Sequence, residues 1–129
     1  MIFIQTYLKV LDNTGALLVQ CIKTLKKTLK KGATIANIIL VVVKKLKILR
    51  NKHSKKISLK KKFICLGLIV RINRNIYRFN GSFLKFFENS VILLNKQYVP
   101  LGSRIFGPIA IEIRNKKYLK IVVMAGLLF

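Results

Sequence analysis

The sequence predicts a small closed β-barrel, dominated by strands and carrying basic loops. Three observations support this. Short apolar runs rich in β-branched and aromatic residues recur along the 129 residues, and turn signals separate them. Two of these signals, Asp12-Asn13-Thr14-Gly15 and Asn80-Gly81, contain residue types that tolerate positive φ and close hairpins. The Lys and Arg residues gather largely in loops and at strand ends, while the strands stay apolar.

In chain order, the run 2–11 reads as a first strand that turns at residues 12–15. Residues 16–25 form a second strand. The β-branched run 38–43 is long enough for a third, and 63–72 for a fourth. The Asn80-Gly81 turn precedes an extended segment at 82–87, and 90–94 is a further strand. Pro100 and Gly102 mark one turn, Gly107 and Pro108 another. Pro108 fits the first position of a short helix through residues 109–114, where its missing N–H has no intrahelical acceptor to lose. With no repeat or linker, residues 1–129 read as one domain, with 1–98 the barrel and 99–129 a C-terminal lobe.

Formal net charge is +23, from 26 Lys and Arg against 3 Asp and Glu. That excess calls for a polyanionic partner, nucleic acid or an anionic membrane. Yet 53% of the residues are hydrophobic and mean hydropathy is positive, unlike a basic disordered tail. A membrane span is not expected, because the longest uncharged run falls well short of the about 20 residues needed. The first residues, MIFIQTYLKV, lack the basic region and cleavage site of a signal peptide and the Arg- and Ser-rich character of a transit peptide. Cys21 and Cys65 form no CxxC pair and read as reduced core thiols.

The segment 99–120, VPLGSRIFGPIAIEIRNKKYLK, resembles the signature PxGTRIFGPVxxELRxxxxxKI of the universal large-subunit ribosomal protein fourteen family. Ser103 and Ile113 replace its Thr and Leu. The resemblance extends through QTxLxVxDNTGA at 5–16, CIKxL at 21–25, VR at 70–71, RxNGSxxKF at 78–86 and ENSVILLN at 88–95. It implies a five-stranded β-barrel with a short C-terminal helical lobe, and no enzymatic activity. The family's GD before the third strand is Ala36-Asn37 here, and its KKG before the fourth is Lys60-Lys61-Lys62, so two turn glycines are missing. Lys outnumbers Arg 20 to 6, and Ile, Asn and Phe are abundant. This bias toward A/T-rich codons suits an organelle gene. The expected location is the mitochondrial matrix, within the mitoribosome, with a plastid or the bacterial cytoplasm as alternatives.

Four basic clusters are the candidate sites. Lys23, Lys26 and Lys27, with Lys30 and Lys31, follow the second strand. Lys44, Lys45, Lys47, Arg50, Lys52, Lys55, Lys56, Lys60, Lys61 and Lys62 form the second cluster, with His53 among them. Ten like charges in nineteen residues repel one another without a polyanion. The third is Arg71, Arg74 and Arg78. These three clusters are the expected rRNA contacts. The fourth contains Arg104, Arg114, Lys116, Lys117 and Lys120. By resemblance, Ser103, Arg104, Arg114 and Lys120 face the small subunit or a protein partner, and Arg104 is held between two turns. Tyr77 and Phe79 flank Arg78. Phe79 is expected to cover the barrel end, while Tyr77 fits either packing or base stacking.

Catalysis is disfavoured by inventory: the acids are Asp12, Glu88 and Glu112, and the one histidine is His53. Asp12 is expected to cap backbone N–H groups in its turn, and Glu112 to pair with Arg104 or a nearby Lys. No cofactor or metal is expected. The resemblance implies as partners large-subunit rRNA, the ribosomal proteins numbered three and nineteen, small-subunit rRNA across an intersubunit bridge, and the ribosomal silencing factor. The rival readings are a basic peripheral membrane protein, with residues 35–47 as its nearest amphipathic segment, and a non-ribosomal RNA-binding barrel.

Overall fold

The computed structural model describes residues 1–25, 32–47, 59–116 and 118–129. Seven strands run in order: β1 (Tyr7–Val10), β2 (Ala16–Thr24), β3 (Ile38–Leu46), β4 (Ile64–Arg71), β5 (Ile76–Tyr77), β6 (Phe83–Leu84) and β7 (Ser90–Leu94). A 3-10 helix (Ile111–Lys116) and α1 (Leu119–Met124) follow. Strands β1, β2, β3, β4 and β7 close into a five-stranded barrel, as the resemblance implied. Neighbours pair antiparallel except at the closing seam, where Lys9 and Val10 of β1 meet Ser90 and Val91 of β7 in parallel.

The burial pattern follows from the side chains. In β3, Ile39, Val41 and Val43 alternate inward, the period of a half-buried strand. All of β7, SVILL, is buried, as a continuous apolar run requires. Ile105, Ile109, Ala110, Ile113 and Ile121 from the C-terminal lobe belong to the same core cluster as the barrel strands. Cys21 and Cys65 are free and buried within that cluster.

Several elements depart from the sequence expectation. The first strand is only four residues long. Ile2 instead pairs with Ala33, and Gln5 turns the chain at φ 69°. The third strand runs on to Leu46, so Lys44 and Lys45 stand on a strand. Pairing with β2, Lys45 opposite Leu18 and Leu46 opposite Ala16, carries the ladder past the apolar run. The Asn80-Gly81 turn does close a hairpin, with Gly81 at φ +79°, but β5 and β6 form a separate two-stranded sheet and the 82–87 segment shortens to two paired residues. Phe79 is fully exposed there and covers nothing.

Pro108 does not start a helix. Ile109 pairs in parallel with Leu128: its N–H donates to Leu127 O and its carbonyl accepts from Phe129 N–H. The backbone is therefore extended at 109, and the 3-10 helix begins two residues later.

Ala36 has φ 59° and Lys62 has φ 65°. These are the positions where the resemblance marks absent glycines. The chain keeps the left-handed turns without the residue that adopts them freely.

Candidate functional site

The barrel frame sorts the basic residues by end. Lys62 N–H donates to Val43 O at 2.9 Å, so Lys60, Lys61 and Lys62 lie beside the end of β3, where Lys44, Lys45 and Lys47 project. All six side chains are exposed. Lys47 N–H donates to Gly15 O at 2.8 Å, which ties this end to the β1–β2 turn. Lys23, although also exposed, pairs with Leu40 at the opposite end of β3.

The β1–β2 turn carries a second set of bonds. Asn13 N–H donates to Arg104 O, and Asn13 Oδ1 accepts from the N–H groups of Ser103 and Arg104. Asn13 Nδ2 donates to Ser103 Oγ. Gly102 makes this approach possible, because a Cβ there would stand 2.7 Å from Asp12 Cβ. The loop is thus fixed while the Arg104 side chain stays exposed. Sequence clustering put Arg104 and Lys47 in different groups, and the 12–15 turn joins them at one end of the barrel.

Asp12 anchors the turn from within. Its Oδ1 accepts from Thr14 N–H and the Thr14 hydroxyl, and its Oδ2 from Leu93 N–H at 2.9 Å. Burial pushes the Asp12 carboxyl above its ordinary range, and these three bonds oppose that shift. The capping role expected from the turn motif is the one observed.

The arginine cluster is divided. Arg71 is turned into the protein: Nε donates to Pro108 O at 2.7 Å, one terminal nitrogen to Glu88 Oε1 at 3.0 Å, the other to Phe106 O at 3.1 Å. The guanidinium also stands 5.8 Å from the Phe86 ring centroid. Gly107 leaves room for it, since a Cβ there would collide with the Arg71 terminal nitrogen. With each nitrogen holding a protein acceptor, Arg71 is engaged within the fold, unlike the exposed lysines grouped with it as expected phosphate contacts.

Arg78 is committed in a similar way. Nε donates to Glu112 Oε1 at 2.8 Å and a terminal nitrogen to Phe129 O at 2.9 Å. Glu112 therefore pairs with Arg78 and, among the described residues, not with Arg104 or a nearby Lys. Arg74 is exposed. Glu88 also takes Lys9 at 2.6 Å. The hydrogen bond from Lys9, then charge attraction to Lys9 and Arg71, holds its carboxyl below the usual carboxylate range against the opposing effect of burial.

All three carboxylates of the chain are thus engaged within the fold. Arg114 and Lys120 are exposed on the 3-10 helix and α1. Lys26, Lys27, Lys30, Lys31, Arg50, Lys52, His53, Lys55, Lys56 and Lys117 lie outside the described residues. Lys85 and Lys96 are exposed cations that clustering missed, because each stands alone in the sequence. Among the described residues no group of His, Cys, Asp or Glu could hold a metal ion, and no helix is long and apolar enough to cross a membrane.

The family model described as ribosomal protein L14p/L23e matches residues 1–129. The chain is 44% identical over 127 residues to the large ribosomal subunit protein uL14m of Acanthamoeba castellanii, which covers 97% of each chain. It is 45% identical over 115 residues to the protein of the same name from Acanthamoeba polyphaga, covering 89% of this chain and 98% of the relative.

Proposed function

The chain belongs to the ribosomal protein L14p/L23e family and is a structural constituent of the large ribosomal subunit, and we propose that it fastens rRNA there with the lysines at one end of its barrel. It is not an enzyme. The observation that carries the reading is the charge balance at the β3–β4 end. Lys44, Lys45, Lys47, Lys60, Lys61 and Lys62 converge and are exposed, while every carboxylate is engaged elsewhere. Counter-charge must come from outside, and rRNA phosphate supplies it with release of bound cations. Lys23 and Arg74 extend the contact to the other end, and the basic residues of 26–31 and 48–58 are assigned to the same role.

The relatives' designation as mitochondrial large-subunit proteins supports the mitoribosome as the place of action, and the mitochondrial matrix is assigned with it. Ser103 and Arg104, on the pinned loop, are assigned to the subunit-joining face, and so are Arg114 and Lys120 of the lobe. The neighbours would be the ribosomal proteins numbered three and nineteen, small-subunit rRNA and the ribosomal silencing factor. What supports this is the resemblance in that segment and the exposure of the four side chains.

Two measurements test the proposal. Changing Lys44, Lys45, Lys47, Lys60 and Lys61 to Gln should lower the slope of log affinity for rRNA against log salt by about 3.5 to 4.5; an unchanged slope would show that this end faces solvent. Arg104→Ala should leave large subunits intact on a sucrose gradient and reduce their joining to small subunits. Loss of the large-subunit peak itself would mean that Arg104 is an assembly residue.

A further inference from the structure

Beside the lysine end of the barrel lies an apolar groove that binding to phosphate does not explain. It has a volume of about 590 Å3, and its lining includes Leu40, Phe63, Ile64, Cys65, Lys96 and Leu101. Phe63 is 45% exposed and Ile64 56% exposed. Lys60, Lys61 and Lys62 lead directly into Phe63 and are exposed, as is Lys96. The result is an aliphatic groove lined by one cation, Lys96, with three more, Lys60, Lys61 and Lys62, just before its Phe63 in the chain.

Each class of neighbour makes a different demand on such a groove. Phosphates would pair with the lysines and leave the apolar lining wet. Bases stack on flat rings, and among the groove residues only Phe63 offers one. A second copy of this chain would bring another +23 charge, with its three carboxylates already engaged. Aliphatic side chains gain by entering the groove, and carboxylates beside them would answer the lysines.

We propose that this groove seats a segment of a neighbouring large-subunit protein that presents aliphatic side chains flanked by Asp or Glu. The inference rests on the chain's place in the large subunit. It adds a protein-docking surface next to the RNA-binding end, so a single run of lysines serves two partners.

The test uses assembled large subunits. Co-sedimentation of the tagged chain is scored first, since its absence would sink the large-subunit reading itself. Ile64→Cys is then labelled with a maleimide in the free chain and in the subunit. Cys65 also lines the groove, so labelling of the unsubstituted chain is measured alongside and subtracted; it is expected to be slow, because Cys65 and Cys21 are buried and burial pushes the Cys65 thiol up to about 11. Labelling at least tenfold slower in the subunit is expected; equal rates would overturn the inference while leaving the large-subunit reading standing.

Phe63→p-benzoylphenylalanine, irradiated in the subunit, then identifies what covers the groove. The expected product is a cross-link to another ribosomal protein, within a peptide that carries aliphatic residues next to Asp or Glu. A cross-link to rRNA, to this chain itself, to a second copy or to a peptide without carboxylates would overturn the proposal. If that variant fails to assemble, the same photoreactive residue at Ile64 decides by the same outcomes.

Discussion

Asn13 and Ser103 bond to each other twice: Ser103 N–H donates to Asn13 Oδ1 at 2.8 Å, and Asn13 Nδ2 donates to Ser103 Oγ at 2.8 Å. One side chain in a turn near the start of the chain thereby sets the position of a loop 90 residues later. Asn13 Oδ1 also accepts from Arg104 N–H, so the residue assigned to the joining face is held by a side chain that never leaves the barrel.

Asn13→Ala should therefore act at a distance. It removes three bonds made by the side chain and should cost on the order of 1–3 kcal/mol. More tellingly, it should impair subunit joining in the manner of Arg104→Ala while the Arg104 side chain is intact. Denaturant midpoints and sucrose-gradient profiles of the two variants check this; normal joining by Asn13→Ala would show that the loop holds its position without this anchor.

Lys62→Gly should stabilise the isolated chain. The lysine sits at φ 65°, where a side chain costs about 1–2 kcal/mol relative to the right-handed region. Glycine returns part of that through the folded state and loses part through a freer unfolded chain. The net expected gain is about 0.5–1 kcal/mol in urea unfolding, with a weaker salt dependence of rRNA binding. A Lys62→Gly variant less stable than the wild type would show that the lysine side chain offsets the backbone cost by its own contacts. Ala36→Gly, at φ 59°, should shift stability in the same direction without altering the salt slope.

Arg71 should report on folding and not on RNA. Arg71→Lys cannot reach Glu88, Pro108 O and Phe106 O at once, because one ammonium replaces a planar fork. A loss of about 1–3 kcal/mol is expected, and Arg71→Ala should lose on the order of 3–5 kcal/mol. The salt slope of rRNA binding should not change for whatever fraction remains folded. A flattened slope would place Arg71 among the phosphate contacts.

Acid should weaken the fold through Glu88. Its carboxyl lies below the ordinary range when folded, so its contribution is present above the unfolded value and disappears as pH falls through the folded one. Asp12 runs the other way: its raised carboxyl favours the folded chain on protonation, starting above its ordinary range. Glu88→Gln should start less stable at pH 7 and lose less on acidification to pH 3. Urea midpoints across that range measure it, and parallel curves for the two proteins would show that Glu88 has no part in acid loss.

Strands whose side chains bury on one regular period were legible in the sequence. The bounds 90–94 hold to the residue, and the positive φ of Gly81 follows from its Asn-Gly turn. Asp12 was legible as a cap because its partner Thr14 is two residues away. What stayed hidden depends on distant pairs. Arg71 and Arg104 are both single arginines beside apolar residues, and nothing local says that one meets Pro108 O while the other points outward. Pro108 misled because its role at a helix start is local, while the extended backbone at Ile109 is imposed by residues 127–129. Phe79 was expected to pack because it is aromatic, yet its hairpin turns Ile76 and Leu84 to the core and leaves Phe79 exposed.

The parallel seam between β1 and β7 has a consequence in time. Four of the five staves are made early, and the last arrives only after the hairpin of β5 and β6. A chain leaving the exit tunnel therefore holds an open sheet, with β1 and β4 each lacking a neighbour, until residues 90–94 emerge. Contacts so far apart in sequence make folding slow, and exposed strand edges in that interval invite aggregation. The charge that later grips rRNA works during this interval as a solubilising device: like-charged nascent chains repel before their edges can meet. Neutralising the lysines should thus lower the soluble yield of the newly made protein even where no RNA is present, and pulse-chase recovery of the Lys-to-Gln variant against the wild type would measure it.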